Sequence, residues 1–306
     1  MTSHCVTGFG ETVLDIVLGS QSIQKALAGG SILNTLVSLS RAGFSCRLIS
    51  ETGKDATGQL IHQFLLTENI NSAFVYQNPD TQTTLALAVL NPSGDAAYSF
   101  YKNTPKERFT NLKISFQAHD IFIFGSSLAL DAAARPTLEM LISAVQKANG
   151  LVFYDPNIRK PITENDPTLA LIRYNFGQAD VVRGSHEDFL SIFNTQNVKE
   201  IFQLMQPSNC KLLIMTSAEG KIHLCTPYHY ATVEVSKVEV VNTIGAGDAF
   251  NAGVLNYLID NNIGMVELDS ITKNQLVEVG ENGRKYAAMV CASDENYIPK
   301  KGKTMQ

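Results

Sequence analysis

The stretch Val241-Asn-Thr-Ile-Gly-Ala-Gly-Asp-Ala-Phe-Asn-Ala-Gly253 concentrates the residue types that do chemistry. A Gly-Ala-Gly turn leads straight into an apolar segment with helical spacing. Small residues let backbone N–H groups approach an anion, and a helix start adds partial positive charge. In a pure anion cradle the carboxylate of Asp248 would be repelled. It makes sense as a base that takes a proton from an attacking hydroxyl. The same residues also read as a tight turn with Asp248 favoured by the helix dipole, and local chemistry leaves the two readings level. The dinucleotide-binding fingerprint fails, because Phe250 stands where its third glycine belongs.

Other candidates are less sharp. Arg159, in Asp155-Pro-Asn157-Ile-Arg159, has a planar fork suited to a phosphate or sugar oxygen, or to a surface pair with Asp155 or Glu164. Lys102 and Arg108 are further cations whose placement the sequence does not fix. Ser185-His-Glu187-Asp188 offers two carboxylates suited to a hard cation through water, and also reads as a helix-capping box. Gly302-Lys-Thr304 ends like a phosphate-binding loop, but Tyr297 occupies the required first glycine. His186-Glu187 lacks a second histidine at Leu190, and Ser126 and Ser127 lack the frame of a hydrolase elbow. The five cysteines (Cys5, Cys46, Cys210, Cys225, Cys291) show no C-x-x-C spacing. They are expected as buried thiols, not disulfides or zinc ligands.

The elements that must position these groups alternate. Strands are expected at Cys5–Leu18 (broken by Gly8 and Gly10), Phe44–Ser50, Asp120–Phe124, Leu151–Tyr154, Asp180–Arg183 and Leu212–Met215. Helices are expected at Ser31–Arg41, with Ser31 as cap and Gly43 as terminator, and at Ala56–Glu68, Ala132–Ala148, Leu169–Phe176, Glu187–Phe193, Val198–Met205, Ala249–Ile259 and Leu276–Ala292. Apolar strands alternating with helices argue for a parallel sheet covered on both faces, with ligands at the carboxyl ends of its strands. Ser72–Asn103 differs: Ala73–Tyr76, Thr83–Leu90 and Ala96–Tyr101 read as strands of a small β layer, with a hairpin turn at Asn91–Asp95. A second hairpin is expected around Lys221–Val235.

The 306 residues are 44% hydrophobic and 17% charged, with net charge −5. That balance suits a globular core and argues against a nucleic-acid partner. No apolar run approaches the ~20 residues of a membrane helix. The N-terminus carries no signal core, so a cytoplasmic protein is expected.

Asn242-Thr-Ile-Gly-Ala-Gly-Asp248 strongly resembles the signature of the PfkB (ribokinase-like) family of carbohydrate kinases. Gly29-Gly30-Ser-Ile-Leu-Asn34, Gly53-Lys-Asp55-Ala-Thr-Gly58 and Asp155-Pro-Asn157-Ile-Arg159 resemble further family motifs, in the expected order. The last of these, with Gly10-Glu-Thr-Val-Leu-Asp15 and Gly125-Ser-Ser-Leu-Ala-Leu130, is similar to the fructokinase branch. The resemblance implies a three-layer α/β fold with a mainly parallel central sheet. It implies one catalytic domain over residues 1–306, with a small β-sheet lid from about 11–18 and 72–103. The implied activity is ATP-dependent phosphorylation of a sugar hydroxyl, most readily fructose to fructose 6-phosphate. Ribose, 2-keto-3-deoxygluconate or a nucleoside as acceptor, or a silent sugar-binding regulator on the same fold, are the alternatives.

By the same resemblance Asp248 is the base and Gly245, Ala246 and Gly247 form an anion hole. Asp15, Gly29, Gly30, Asn34 and Arg159 bind the sugar, and Tyr101, with Tyr98 and Phe100, either lines it from the lid or serves as lid core or a lid-to-lid contact. Ser185, Thr216, Gly220, Ala287 and Cys291 border the nucleotide, and Asp188 or Glu187 serves Mg2+ through water. Asn242 stands where most members carry Asp, which bears on any monovalent cation such as K+. The implied partners are ATP and a small sugar, without membrane or nucleic acid. A homodimer through the lid, common in the family, is carried as an expectation.

Overall fold

The computed structural model describes residues 4–19, 22–90, 96–105, 108–109, 112–158, 162–163, 166–217, 220–235, 241 and 243–300. Its strands are β1 (Cys5–Phe9), β2 (Val13–Leu18), β3 (Ile23–Gly29), β4 (Ser45–Gly53), β5 (Ile70–Asn78), β6 (Leu85–Leu90), β7 (Ala96–Tyr101), β8 (Ile121–Gly125), β9 (Leu151–Asp155), β10 (Val181–Ser185), β11 (Leu212–Ser217), β12 (Lys221–Cys225) and β13 (Tyr230–Glu234). Its helices are α1 (Ser31–Ala42), α2 (Ala56–Thr67), α3 (Arg135–Lys147), α4 (Thr168–Gln178), α5 (His186–Phe193), α6 (Val198–Leu204), α7 (Ala246–Asp260) and α8 (Lys273–Cys291). Short 3₁₀ turns lie at Ser127–Leu130 and Glu267–Ser270.

Nine strands form one sheet in the order β13-β12-β11-β10-β9-β8-β1-β4-β5. Pairing is parallel from β11 through β5, and antiparallel for β11–β12 and β12–β13. Its central strands are buried on both faces, so their side chains divide by parity between two cores. Ile121 and Ile123 of β8, Leu151 and Phe153 of β9, and Leu212 and Ile214 of β11 join the core with α1, α2, α7 and α8. Their neighbours Phe122, Phe124, Val152, Tyr154, Leu213 and Met215 join the core with α3, α4, α5 and α6. The result is three layers. Helix α7 is buried from Asp248 to Ile259 around most of its circumference, as its run of Ala, Phe, Val and Leu requires. It packs between α1 and α8.

A second sheet has the order β3-β2-β6-β7. The run Ala73–Tyr76, read from sequence as part of this layer, belongs instead to β5, which pairs with β4 at the edge of the large sheet. The small sheet takes its fourth strand from Ile23–Gly29, a segment to which the sequence pattern assigns no element. Within this sheet Leu27, Asp15, Ala86 and Phe100 stand in one row. Tyr101 pairs with Leu85, one residue out of phase, and so faces the opposite side from Asp15. The turn at 91–95 lies outside the described residues. All five cysteines are free thiols, with Cys46, Cys210 and Cys225 buried and Cys5 and Cys291 half-buried.

Candidate active site

The carboxyl ends of β1, β4, β8, β9, β10 and β11 open on one edge of the large sheet, and the sequence candidates gather there. Helix α7 starts at Gly245 with φ 85°, a left-handed conformation that a side chain disfavours. A Cβ at Gly245 would also overlap the carbonyl oxygen of Asn296. Gly247 is filled from the other side: a Cβ there would lie 3.0 and 3.2 Å from the two Nη atoms of Arg183. The Gly-Ala-Gly turn is thus a helix start wedged between the 292–298 segment and a guanidinium. Its first N–H groups have no intrahelical partner.

Asp248 sits in the first turn of α7 and is 7% exposed. Ser31 Oγ donates to its Oδ1 at 2.8 Å and Asn34 Nδ2 donates to its Oδ2 at 2.8 Å. Thr35 Oγ1 donates to its backbone carbonyl at 3.0 Å. Ser31 is therefore not the cap of α1; Gly30 holds that position without a side-chain bond, and the Ser31 hydroxyl is spent on Asp248. Asn34 Oδ1 is buried with no hydrogen-bond partner. Such an acceptor is costly unless something donates to it. The Asp15 carboxylate lies directly over Gly29, where a Cβ would overlap its Oδ2. Asp15, Gly29, Gly30, Asn34 and the 245–248 turn therefore come together. Tyr101, 61% exposed on the other face of the small sheet, does not join them. Arg159 and Asn242 lie outside the described residues.

Beneath this cluster is a buried polar layer that sequence reading missed. Asp155, 1% exposed, accepts from Arg183 Nη1 at 3.1 Å and from Asn251 Nδ2 at 2.6 Å. Burial pushes its carboxyl up from the ordinary range, while Arg183 and Asn251 pull it back. Arg183 Nη2 also donates to Thr216 Oγ1 at 2.9 Å. The available signal was a charged residue in the middle of an apolar strand.

Ser185 and Thr216 are neighbours across β10 and β11. Ser185 and Asp188 form a reciprocal capping box, and Asp188 Oδ1 accepts from the Ile158 N–H at 2.8 Å. Both Asp188 oxygens are thus occupied by the protein. Glu187 points outward, its side chain 66% exposed and 3.0 Å from His186 Nδ1. Among the described residues, no group of three or more His, Cys, Asp or Glu side chains is placed to share a metal ion. Gly220 closes the β11–β12 turn with φ 77°. Ala287 and Cys291 are half-buried, one turn apart on α8, and the Cys291 carbonyl accepts from the Val241 N–H at 2.8 Å. The Gly53-x-Asp55-x-x-Gly58 motif is a helix cap: Asp55 accepts from the Gly58 N–H at 2.7 Å and from Thr83. No helix among the described residues is long and apolar enough to cross a membrane.

The chain matches the model of the pfkB family carbohydrate kinases over residues 13–300. Fructokinase of Escherichia coli is 29% identical over 256 residues, covering 81% of this chain and 82% of that one. Fructokinase from Xylella fastidiosa with bound ATP superposes with a TM-score of 0.85 at 21% identity, covering 97% of this chain and 95% of that one. Fructokinase from Vibrio cholerae O395, in its fructose, ADP and calcium ion bound form, gives 0.82 at 21% identity, covering 97% and 95%. The fold is ribokinase-like, with a large, mainly parallel sheet between helices and a small separate sheet. The chain belongs to the pfkB family of carbohydrate kinases, on its fructokinase-like branch.

Proposed function

We propose that this sugar kinase transfers the γ-phosphoryl group of ATP to a hydroxyl of a free hexose, with fructose the acceptor and fructose 6-phosphate the product. The observation that carries the reading is Asp248: a buried carboxylate in the first turn of a glycine-opened helix, held on both oxygens by Ser31 and Asn34. A fixed carboxylate in the first turn of a helix, where backbone N–H groups lack intrahelical partners, is the arrangement that deprotonating a hydroxyl and receiving a phosphoryl group require.

In this reading Asp248 takes the hydroxyl proton. The sugar oxygen bonds to the γ-phosphorus, and the bond to the β,γ-bridging oxygen breaks, its electron pair leaving with ADP. The N–H groups of residues 245–247 meet the charge on the phosphoryl oxygens. Asp15 and Asn34 orient the acceptor; the partnerless Asn34 Oδ1 is an acceptor for a sugar hydroxyl. Thr216, Gly220, Ala287 and Cys291 border the nucleotide. Glu187, with its exposed side chain, would hold a magnesium ion through water more readily than Asp188, whose two oxygens already accept protein hydrogen bonds. Mg2+ bound with ATP would neutralise phosphate charge. Fructose is favoured because the curated relative described above is a fructokinase.

The small sheet acts as a lid that excludes water. Its outer face carries Leu14, Ile16, Leu85, Leu87 and Tyr101 in register, an apolar surface suited to a second copy of the chain. Sedimentation velocity tests that pairing: a dimer is expected, and a monomer at micromolar concentration argues against it.

The test of the activity is ADP release from Mg·ATP with fructose, ribose, 2-keto-3-deoxygluconate, adenosine and fructose phosphates in parallel. Strong stimulation by fructose is expected. Stimulation by another acceptor alone would move the specificity, and none at all would remove the kinase reading.

A further inference from the structure

We propose that the open cavity at the amino ends of β9, β10 and β11 is a second binding site, one that takes a small organic ammonium compound bearing hydroxyl groups, with Asp180 as its anionic contact. It lies at the opposite edge of the large sheet from Asp248 and does not depend on the kinase activity.

The chain leaves an opening of about 500 Å³ there, with Gln146, Asp180, Asn209, Lys211, Met265 and Asp269 in its wall. Asp180 directly precedes β10, five residues before Ser185, so about 16 Å of strand separates it from the active edge. Its backbone is fixed from both sides. The Asp180 N–H donates to the Val152 carbonyl at 2.9 Å, and its carbonyl accepts from the Lys211 and Leu212 N–H groups at 2.8 and 3.1 Å. Asp180 Oδ2 accepts from the Val152 N–H at 2.8 Å. Oδ1 accepts no hydrogen bond among the described residues, although Asp180 is only 7% exposed. A buried carboxylate oxygen without a donor is costly unless something in the opening supplies one.

The neighbouring cation does not supply it. Lysine has three N–H donors. Those of Lys211 go to the Met265 carbonyl at 2.8 Å, Asp269 Oδ2 at 2.7 Å and Met265 Sδ at 3.5 Å. Lys211 and Asp269 therefore balance each other, and the charge of Asp180 is left over. Burial pushes the Asp180 carboxyl up to about 6, against the pull of the Val152 N–H and Lys211. Asparagine would accept from Val152 equally well without that cost; what it would not bring is charge. The titratable groups that face Asp180 are Lys211 and Asp269, already paired, and the Cys210 thiol, which burial pushes up.

The rest of the wall selects the ligand. Gln146 Nε2 donates to the Gln178 carbonyl at 3.3 Å, which leaves its Oε1 as a further acceptor. One unbalanced negative charge beside a neutral acceptor matches one ammonium group on a molecule with hydroxyl donors. A bare metal ion does not match: among the described residues no three His, Cys, Asp or Glu side chains converge on one point. Water can donate to Oδ1 but brings no charge.

The test titrates the full chain with glucamine, a polyol amine, and with sorbitol, its neutral counterpart. It reads the methyl resonance of Met265 in protein isotope-labelled at its methionine methyls. Glucamine is expected to shift Met265 saturably in the millimolar range, and sorbitol to leave it unmoved. Affinity should rise about tenfold from pH 5 to pH 7, because the ionised fraction of a carboxyl near 6 climbs from about a tenth to about nine-tenths. Asp180→Asn, which keeps the acceptor for Val152, should lose about tenfold or more in affinity at pH 7 and show no such pH step, with kinase turnover unchanged. An equal response to sorbitol, no Met265 shift with glucamine, or undiminished binding by Asp180→Asn would overturn the proposal. If the variant did not fold, the wild-type profile would still decide, since an affinity that is flat from pH 5 to pH 7 would overturn it too.

Discussion

Replacing Gly245 with alanine tests the geometry of the helix start. The left-handed backbone at φ 85° costs a non-glycine residue about 1–2 kcal/mol. The added Cβ would also overlap the Asn296 carbonyl oxygen, and restoring an ordinary contact of about 3.5 Å needs a relative shift of more than ~1 Å. The opposing segment has little freedom to give that ångström. Lys25 Nζ holds the Asp294 carbonyl at 2.7 Å and Arg41 Nη1 holds that of Ile298 at 2.9 Å. Ser38 Oγ accepts from the Ile298 N–H at 3.3 Å, and Arg41 also pairs with Glu295. The start of α7 must move instead. A misplacement of that size costs about 10²-fold in rate when it disturbs a reacting geometry.

Gly245→Ala is therefore expected to lose about 10²-fold in kcat and 1–2 kcal/mol or more of stability. Gly43→Ala is the matched control. Gly43 ends α1 at φ 108°, and a Cβ there meets nothing within 4 Å. It should show the conformational cost in denaturant unfolding with unchanged kcat. Wild-type turnover in Gly245→Ala, or equal loss of turnover in Gly43→Ala, would refute the reasoning.

Arg41→Met should destabilise the fold by about 3 kcal/mol, because it strips the bidentate partner from Glu68, whose side chain is 4% exposed. Burial raises the Glu68 carboxyl, but Arg41 and Lys300 outweigh it and hold it below 4.5. The contribution is therefore complete above pH 4.5 and fades as pH falls through the lower folded value, so the gap between variant and wild type should narrow in acid unfolding. Asp180 behaves oppositely: burial raises its carboxyl from 3.8 to about 6. Its penalty is absent below pH 3.8, grows between pH 4 and 6, and reaches about 3 kcal/mol above that. Asp180→Asn should stabilise the protein at pH 7.5 and not at pH 3.5, by thermal melts at both. Asp15→Asn should raise the sugar KM at least tenfold while Tyr101→Ser changes it less than threefold. The reverse order would place the acceptor on the other face of the small sheet.

Much of this arrangement is legible in the residue order because it is local. Parity along β8, β9 and β11 gives a sheet covered on both faces, and Gly245 to Asp248 describe a helix start with a carboxylate in its first turn. What escapes is what depends on pairing between distant segments. Ile23–Gly29 mixes Gln24 and Lys25 with small apolar residues and runs into the pair Gly29-Gly30, so nothing local separates an edge strand from a loop. Ala73–Tyr76 alternates equally well in either sheet, and only its pairing with β4 decides. Tyr101 misses the face that carries Asp15 by one residue of register with Leu85. Arg183 acquires its partners across 28 and 33 residues of chain, a relation that no window of sequence contains. Ser185 and Asp188 follow the capping pattern that their spacing allows, and that role uses up the carboxylate.

The most direct measurement is fructose-dependent ADP release by the wild-type chain beside Asp248→Asn. The substitution keeps the shape of the site. The introduced amide can accept from Asn34 Nδ2 through its oxygen and donate to the Ser31 hydroxyl through its nitrogen, which leaves Asn34 Oδ1 available to the sugar. Fructose and ATP binding, read by calorimetry, should therefore persist in the variant. The account predicts robust turnover in the wild type and a loss of about 10²–10⁴-fold in kcat for the variant. Turnover by Asp248→Asn within tenfold of wild type would contradict it.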